Sequence, residues 1–135
     1  MGNGAAWNLS VNYSCDGDRL LGTGGALREA LPLLGDAFFV IYGDSSVSCK
    51  LGEIEQAFLH AKAPALVTVY RNDGRWDRSN VVLQAGRLVR YDKRNLSLDM
   101  THIDYGVSIL TSGIFAARQN GEAFDLSEVL TPLSL

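Results

Sequence analysis

Cysteine is scarce in this sequence of 135 residues, which contains only Cys15 and Cys49. The two cysteines are far apart, with neither CxxC spacing nor a nearby pair of histidines. A structural zinc site takes its ligands in close pairs, so the common zinc motifs are excluded. Two separate thiols are typical of reduced cysteines in a cytosolic protein, and we therefore predict a cytoplasmic location.

Positive charge and long apolar runs are also lacking. Twelve Lys and Arg residues against 15 Asp and Glu residues give a net charge of −3, which argues against a nucleic-acid-binding protein. No apolar run approaches the roughly 20 residues that span a bilayer, and residues 1–8 lack the regions of a signal peptide. We expect no nucleic-acid or membrane partner. One local anion site remains possible at a basic cluster formed by Arg87, Arg90, Lys93 and Arg94.

The first half of the chain alternates strand and helix patterns. Residues 8–13 show the period-2 alternation of a half-buried strand, and 37–42 form the continuous apolar run of a strand covered on both faces. Helical patterns occupy 26–34, closed by Gly35, and 51–62, where apolar residues recur on one stripe. With a β-branched strand at 65–71, this order predicts βαβ units in a parallel sheet.

The second half has a different pattern. Segments 80–83 and 88–91 flank Gly86 and predict an antiparallel hairpin, and 105–110 is a further strand. Asp125 and Glu128 have capping-box spacing and should open a helix that runs toward residue 133. Together the halves predict an α/β protein: a Rossmann-like three-layer α/β/α sandwich with a mostly parallel sheet and one antiparallel hairpin.

Two features could carry chemistry. Gly22, Thr23, Gly24 and Gly25 precede a predicted helix, where free N–H groups and the helix dipole favour a ligand, although a tight turn capped by Thr23 explains them equally simply. Asp44 follows the buried strand, where ligands of open α/β sheets bind. Its carboxylate could hold Mg²⁺ against a triphosphate, or could merely cap the turn.

Taken together, these two motifs resemble the sugar-1-phosphate nucleotidylyltransferases. The family has a Leu-Gly-Thr-(Ala/Gly)-Gly-Ala-Leu motif and then an apolar strand ending in Asn-Gly-Asp. This chain has Leu-Gly-Thr-Gly-Gly-Ala-Leu at 21–27 and Phe-Phe-Val-Ile-Tyr-Gly-Asp at 38–44. The similarity runs from about Leu9 to Leu133 and is greatest to the branch handling mannose- or heptose-1-phosphate. It implies the nucleotide-diphospho-sugar transferase type of fold, with residues 1–135 forming a single partial domain.

The resemblance also implies roles for individual residues. Gly22, Thr23, Gly24 and Gly25 would contact the nucleobase and ribose, and Asp44 would bind the catalytic Mg²⁺. Asn80 stands where the family brings a glycine near the sugar. Asp92-Lys93 replaces the family's Glu-Lys pair, with the aspartate on sugar hydroxyls and Lys93 on the sugar phosphate as a catalytic residue. Asp104-Tyr105-Gly106 replaces the family's Asn-Ala-Gly, which places Asp104 and Gly106 at the sugar.

Two family features have no match in this sequence. Nothing in residues 1–8 resembles the family's N-terminal Gly-x-Gly-Thr-Arg loop, and the second metal-binding aspartate would lie beyond residue 135. We therefore expect a truncated domain, and whether the isolated chain is active stays open at this point. Because unpaired strand edges would remain, we also expect a homo-oligomer whose chains either swap or pair strands through residues 9–13.

Three hypotheses follow. The first is a transferase that makes an NDP-sugar and pyrophosphate from an NTP and a sugar-1-phosphate. The second is a non-catalytic remnant that binds nucleotide or sugar phosphate as an oligomeric module. A purely structural domain is the weakest, because the glycine turn and Asp44 would then be coincidences. Trp7 and Trp76 are more readily interpreted as packing residues than as platforms for a sugar.

Overall fold

A computed structural model describes residues 2–46, 48–93 and 95–134. Arg94, part of the predicted basic cluster, lies outside the described residues. No helix within the described ranges is long and apolar enough to cross a membrane. The helices and strands, in chain order, are α1 (Gly22–Ala30), β1 (Ala37–Ile41), α2 (Leu51–Ala61), β2 (Ala65–Arg71), β3 (Val81–Gln84), β4 (Arg87–Tyr91), β5 (His102–Thr111) and α3 (Ser127–Leu130).

The sheet is built around its longest described strand, β5. Ser108 of β5 pairs with Val40 of β1 on one side and with Val67 of β2 on the other. Both pairings are antiparallel, and so are the pairings of β3 with β4 and with β5. The α/β class is confirmed, but the prediction of a mostly parallel sheet is wrong. Strands β1 and β2 do run in the same direction, as a βαβ unit requires, but β5 lies between them.

The hairpin is confirmed where the sequence predicted it. Strands β3 and β4 are joined by Ala85 and Gly86, whose φ angles are +49° and +76°. Positive φ at both turn positions gives the twist that a two-residue hairpin needs. Val81 pairs with His102, which attaches the hairpin to the start of β5.

Helices lie on both faces of the sheet. Alternate residues of β2 point in opposite directions, so Val67 joins the main core while Leu66 and Thr68 line a groove with Ile54 and Ala57 of α2. Because α1 and α3 contribute to the main core and α2 lies on the opposite face of the sheet, the predicted three-layer arrangement is present. Buried members of the main core are Val81, Tyr91, Leu110, Phe115, Phe124, Leu126, Val129 and Leu130.

Coverage of β1 is one-sided. Phe38 and Val40 pack against the main core, whereas Phe39 and Ile41 are 37% and 51% exposed. The strand was predicted at the right place, but the prediction that both of its faces are covered is wrong. Its other edge has no strand partner among the described residues.

The predicted strand at residues 8–13 is absent from the sheet. This segment is exposed, and it bonds locally: the Leu9 N–H donates to the Gly4 carbonyl and the Val11 N–H to the Asn3 carbonyl. A strand needs a neighbour to satisfy its backbone groups, and no described strand lies beside this segment. The alternating pattern therefore occurs without the pairing that it predicted.

Two helices also differ from the sequence prediction at their ends. Helix α1 begins within the glycine turn, at Gly22, and after Ala30 continues as a 3-10 turn over Leu31–Leu33. Leu34 is extended and ends it, so Gly35 is not the left-handed cap that the sequence suggested. Helix α3 has only one turn, followed by a 3-10 turn over Thr131–Ser134.

Candidate active site at the carboxyl ends of β1 and β4

The glycine turn forms the first turn of α1 and packs against residues 122–126. The N–H groups of Gly24 and Gly25 both donate to the Phe124 carbonyl, at 3.1 and 3.3 Å. A Cβ on Gly25 would lie 2.5 Å from the Glu122 carbonyl oxygen, and one on Gly24 would overlap the Phe124 ring. Gly24 and Gly25 are thus needed for close packing, and the exposed part of the turn is Gly22.

Thr23 ties this turn to Asp125. The Thr23 hydroxyl donates to Asp125 Oδ2 at 3.2 Å and accepts from the Leu126 N–H at 3.0 Å. Thr23 therefore does not cap its own helix but anchors the start of α3. The predicted capping box is present in part, because Glu128 Oε1 accepts the Asp125 N–H, whereas Asp125 Oδ1 accepts the Ser127 N–H and not that of Glu128.

The Asp125 carboxylate is held in its charged form. Burial is the largest single influence and would raise the pKa of Asp125, but hydrogen bonds from the Ser127 hydroxyl and N–H oppose it, and the pKa is lowered overall. The positive charge of Lys93 and the Thr23 hydroxyl also act to lower this pKa. Asp125 thus links the glycine turn to Lys93, which the sequence placed on the sugar phosphate.

Lys93 lies beside two tyrosines. Its Nζ is 5.5 Å from the ring centroids of both Tyr42 and Tyr91, within cation–π range. The Tyr91 hydroxyl donates to Asp104 Oδ2 at 2.8 Å. The end of β1, the end of β4 and the start of β5 therefore meet around this pair of phenols, which we call the tyrosine pair (Tyr42 and Tyr91).

Both phenols resist ionisation. Burial, and then the negative charge of Asp104, raise the pKa of Tyr42 to about 12, while a hydrogen bond with Tyr91 opposes the shift. Asp125 and Asp44 add smaller contributions in the same direction. The same two leading causes raise the pKa of Tyr91. Three carboxylates thus lie close enough to one phenol to influence its ionisation.

Gly106 brings the Asp44 turn against β5. Its carbonyl accepts the Tyr42 N–H at 3.1 Å, and a Cβ added to it would lie 2.7 Å from Ser45 Oγ. Its φ of +88° occurs in a β-bulge, where the register shifts between Val67 and Val69. The bulge allows Asp104 Oδ1 to accept the Gly106 N–H at 2.8 Å.

Asp44 is exposed beside the tyrosine pair. Among the described residues, no hydrogen bond or ion pair engages its carboxylate, which is therefore available to a ligand. No group of three or more His, Cys, Asp or Glu side chains that could enclose a metal occurs in the described ranges. A single free carboxylate fits Mg²⁺, which usually takes one or two carboxylates together with substrate phosphates.

Asn80 and Asp92 lie just beyond the tyrosine pair. The Asp92 N–H donates to the Asn80 carbonyl at 3.0 Å, and the Asp92 carboxylate accepts from Asn95 and lies 3.6 Å from Arg90. Asn80 Oδ1 is buried without a hydrogen-bond partner among the described residues. A buried acceptor without a donor is costly, and such atoms often await a ligand or water.

Sequence reasoning missed three members of this site. Tyr42 was quoted only as part of a motif, Tyr91 only as a strand residue and Asp125 only as a helix cap. Their shared role depends on contacts between distant segments, so the only available signal was that each stands at the end of a predicted element. The packing interpretation of Trp7 and Trp76 is wrong, because they are 81% and 77% exposed.

The fold has known counterparts. No protein-family model matches the chain. HddC from Yersinia pseudotuberculosis, complexed with GMP-PN, is similar with a TM-score of 0.65 and 19% identity over 85% of this chain and 50% of that one. The inositol-1-phosphate CTP transferase from T. maritima is similar with a TM-score of 0.65 and 21% identity, over 83% and 47%.

A third structure gives a higher TM-score. It is a Bacillus anthracis protein assigned as a glucose-1-phosphate thymidylyltransferase and bound to sucrose, with a TM-score of 0.77 and 18% identity over 98% of this chain and 56% of that one. The chain has the nucleotide-diphospho-sugar transferase fold of these proteins. It spans about half the length of each of them.

Proposed function

We propose that this chain is part of a sugar-1-phosphate nucleotidylyltransferase, which joins an NTP to a sugar-1-phosphate and releases pyrophosphate. A single observation carries the proposal. In the fold of nucleotidyltransferases, Thr23 of the glycine turn, Asp125, Lys93 and Asp104 form one connected cluster beside the exposed Asp44 carboxylate. We further propose that residues 1–135 belong to one domain and act as part of it.

In this reaction, an oxygen of the sugar phosphate forms a bond with the α-phosphorus of the NTP. The bond from that phosphorus to the oxygen bridging to the β-phosphate breaks in line, and pyrophosphate leaves. Lys93 would hold the sugar phosphate and offset its charge. Because the tyrosine pair and Asp125 position Lys93, the chain contributes mainly orientation and electrostatics.

The substrates would lie along the cluster. Gly22 and Thr23 would contact the nucleotide directly, whereas Gly24 and Gly25 would support the turn through their bonds to Phe124. On the sugar side we propose Asp104 and Gly106 at the bulge. Asn80 and Asp92 complete that side. Asn80 Oδ1, which has no hydrogen-bond partner in the described part of the chain, would accept a hydrogen bond from a sugar hydroxyl.

Asp44 is the proposed ligand of Mg²⁺. A bound Mg²⁺ would neutralise the phosphates of the nucleotide. The exposed position of Asp44 just after β1, close to the phenol of Tyr42, supports this assignment. Its carboxylate can reach a phosphate-bound ion without breaking any contact within the described structure.

The test compares the two aspartates that flank β1. Asp44 follows the strand and Asp36 precedes it, and both are exposed. We expect Asp44→Asn to abolish the Mg²⁺-dependent part of thermal stabilisation by NTPs, and Asp36→Asn to retain it. Two results would contradict the metal role of Asp44. One is that an NTP stabilises the wild type equally with and without Mg²⁺, and the other is that Asp44→Asn responds as the wild type does.

The second candidate is a non-catalytic module that binds nucleotide or sugar phosphate. The chain spans about half the length of its structural neighbours, and this partial coverage is the observation that favours a binding module as the second candidate. Pyrophosphate release separates the two candidates. Catalysis is supported if the wild type releases pyrophosphate and Lys93→Ala lowers the rate at least about 100-fold. The exposed control Lys62→Ala should leave the rate unchanged. Binding without release supports the module.

We also propose that the chain forms a homo-oligomer in the cytoplasm. Two observations support pairing between copies through residues 9–13: the side chains of Leu9 and Tyr13 are exposed, and one edge of β1 has no partner strand within the described ranges. The two cysteines are exposed free thiols, which agrees with a reducing compartment.

A further inference from the structure

Residues 72–79 form a surface loop, here called the Trp76 loop, that connects β2 to β3. It is anchored by Asn72, whose side chain is fully buried. Asn72 Oδ1 accepts the Trp76 N–H at 3.0 Å, and its Nδ2 donates to the Asp77 carbonyl at 2.5 Å and to Ser79 Oγ at 3.1 Å. One buried amide therefore fixes three positions of the loop.

This fixed loop presents a large apolar side chain to solvent. Trp76 is 77% exposed, although tryptophan gains more than most residues from burial. Its neighbours Arg75 and Arg78 make no ion pair with any described residue, whereas nearby Arg71 is paired with Asp73 at 3.0 Å. An exposed indole on a backbone that Asn72 holds, with two arginines nearby in the same loop, is a combination of residue types enriched at binding sites.

The loop lies at the same end of the sheet as the candidate active site. The N–H groups of Asn72 and Asp73 both donate to the Thr101 carbonyl, directly before β5, and the Asn80 N–H donates to the His102 carbonyl. The loop thus leads into Asn80, with its unpartnered buried oxygen, and borders the start of the strand that carries Asp104.

We propose that the Trp76 loop is a sugar-binding subsite, with the Trp76 indole against the apolar face of a pyranose ring and Arg75 and Arg78 donating to its hydroxyls. This inference rests on the proposed function, because it assigns the loop to the sugar of the sugar-1-phosphate. A rigid aromatic loses little entropy on binding, and the Asn72 anchor holds the loop in shape before the ligand arrives. The loop would therefore help to determine which sugar is accepted.

Fluorescence can test this subsite without requiring activity. The sequence holds two tryptophans, so Trp7→Phe leaves Trp76 as the single reporter. We expect saturating α-D-mannose 1-phosphate to shield Trp76 from acrylamide by at least about twofold, because a stacked ring covers the indole. Inorganic phosphate, an anion without a ring, should not shield it.

Calorimetry with the full chain provides the second measurement. Trp76→Ala should weaken binding of the sugar phosphate about tenfold, and Trp76→Phe should restore most of the loss because it keeps an aromatic face. Trp7→Ala is the matched control and should bind as wild type does. Melting curves check that each variant is folded, which we expect because Trp76 is exposed.

The possible failures are distinct. If wild type binds the sugar phosphate but neither the acrylamide accessibility of Trp76 nor the affinity of Trp76→Ala changes, the subsite is refuted and the proposed function stands. If inorganic phosphate shields Trp76 as well as the sugar phosphate does, the loop recognises the anion and not the ring, and the subsite is refuted. If calorimetry detects no binding to wild type, both the proposed function and the subsite fail.

Discussion

Gly25 has no room for a side chain. A Cβ there would lie 2.5 Å from the Glu122 carbonyl oxygen and 2.7 Å from Leu21 Cβ. Both neighbours are fixed, one in the backbone and the other in a buried leucine. By contrast, Gly52 in α2 has nothing within 4 Å of its Cβ position.

These two glycines give opposite predictions. Gly25→Ala should lower the free energy of unfolding by about 2 kcal/mol, because the segment 122–126 would have to move away from α1. Gly52→Ala should raise it by about 0.5 kcal/mol or more, because alanine stabilises an open helical position. Urea unfolding measures both changes. Equal effects of the two substitutions would mean that the close packing at Gly25 is not as described.

The raised pKa of Tyr42 predicts that the protein loses stability in alkali. Its pKa is raised from 10.0 to about 12, so between these values the unfolded state loses the phenol proton while the folded state keeps it. The contribution of Tyr42 to the free energy of unfolding is fully present below pH 10 and is lost as the pH rises toward 12. Unfolding measured at about pH 9 and about pH 11 should show a smaller loss in Tyr42→Phe than in wild type.

The control for this titration is Tyr13→Phe, an exposed phenol outside the tyrosine pair. It should retain the full alkaline loss of the wild type, because Tyr42 is still present. A Tyr42→Phe variant that loses as much stability as wild type over the same interval would show that Tyr42 does not contribute to it.

At the scale of elements, the segment 118–126 holds α1 and α3 together. Arg118 lies at its start, 2.6 Å from Glu122 and 3.2 Å from Glu128, with its guanidinium carbon 4.4 Å from the Phe124 ring centroid. The Arg118 carbonyl accepts from Arg28 Nε of α1. The same segment then supplies Asp125 to the candidate site, so its position determines the site geometry.

Arg118→Lys should therefore destabilise the chain although it preserves the charge. A lysine cannot reach two glutamates as a planar fork or stack equally well on Phe124, and we expect a loss of about 1 kcal/mol in the free energy of unfolding. Arg71→Lys, in an ion pair whose arginine side chain is 74% exposed, should change it by less than about 0.5 kcal/mol. Equal losses would refute this role of Arg118.

Local elements of this fold were predictable, whereas their pairing was not. The sequence located α2, β1, β2 and the β3–β4 hairpin because each has a local signal: a helical stripe, an apolar run, or a glycine between two strands. The neighbours of β1 and β2 were predicted wrongly because β5, from much later in the chain, separates them. Which strand lies between two others depends on tertiary packing that a local pattern does not encode.

The candidate site divides in the same way. Thr23, Asp44, Lys93, Asp104 and Gly106 were predicted from motifs, and the structure brings them together with the tyrosine pair, while their roles stay predictions. Asp125 was recognised only as a cap, because capping spacing is local whereas its bond to Thr23 crosses most of the chain. The burial of Gly24 and Gly25 was likewise invisible, since a glycine near a ligand and a glycine beneath a phenylalanine look the same in sequence.

For the whole molecule, the proposed association is directly measurable. Light scattering at micromolar concentration should give at least twice the chain mass of 14.6 kDa. Leu9→Lys should shift the population toward monomer, because a charge on a pairing segment opposes strand addition. Leu98→Lys, at a fully exposed leucine elsewhere, should not. A wild-type chain that scatters as a monomer would contradict association through residues 9–13.

The central position of β5 also has a consequence for how this protein is made. Ala37 pairs with Thr111, and Ala65 pairs with Leu110, so neither earlier strand can complete its pairing until the end of β5 has left the ribosome. Until then the nascent chain exposes two unpaired apolar strands, and closing such long loops is slow. Synthesis of this protein should therefore depend on chaperones that hold the emerging chain until its central strand arrives.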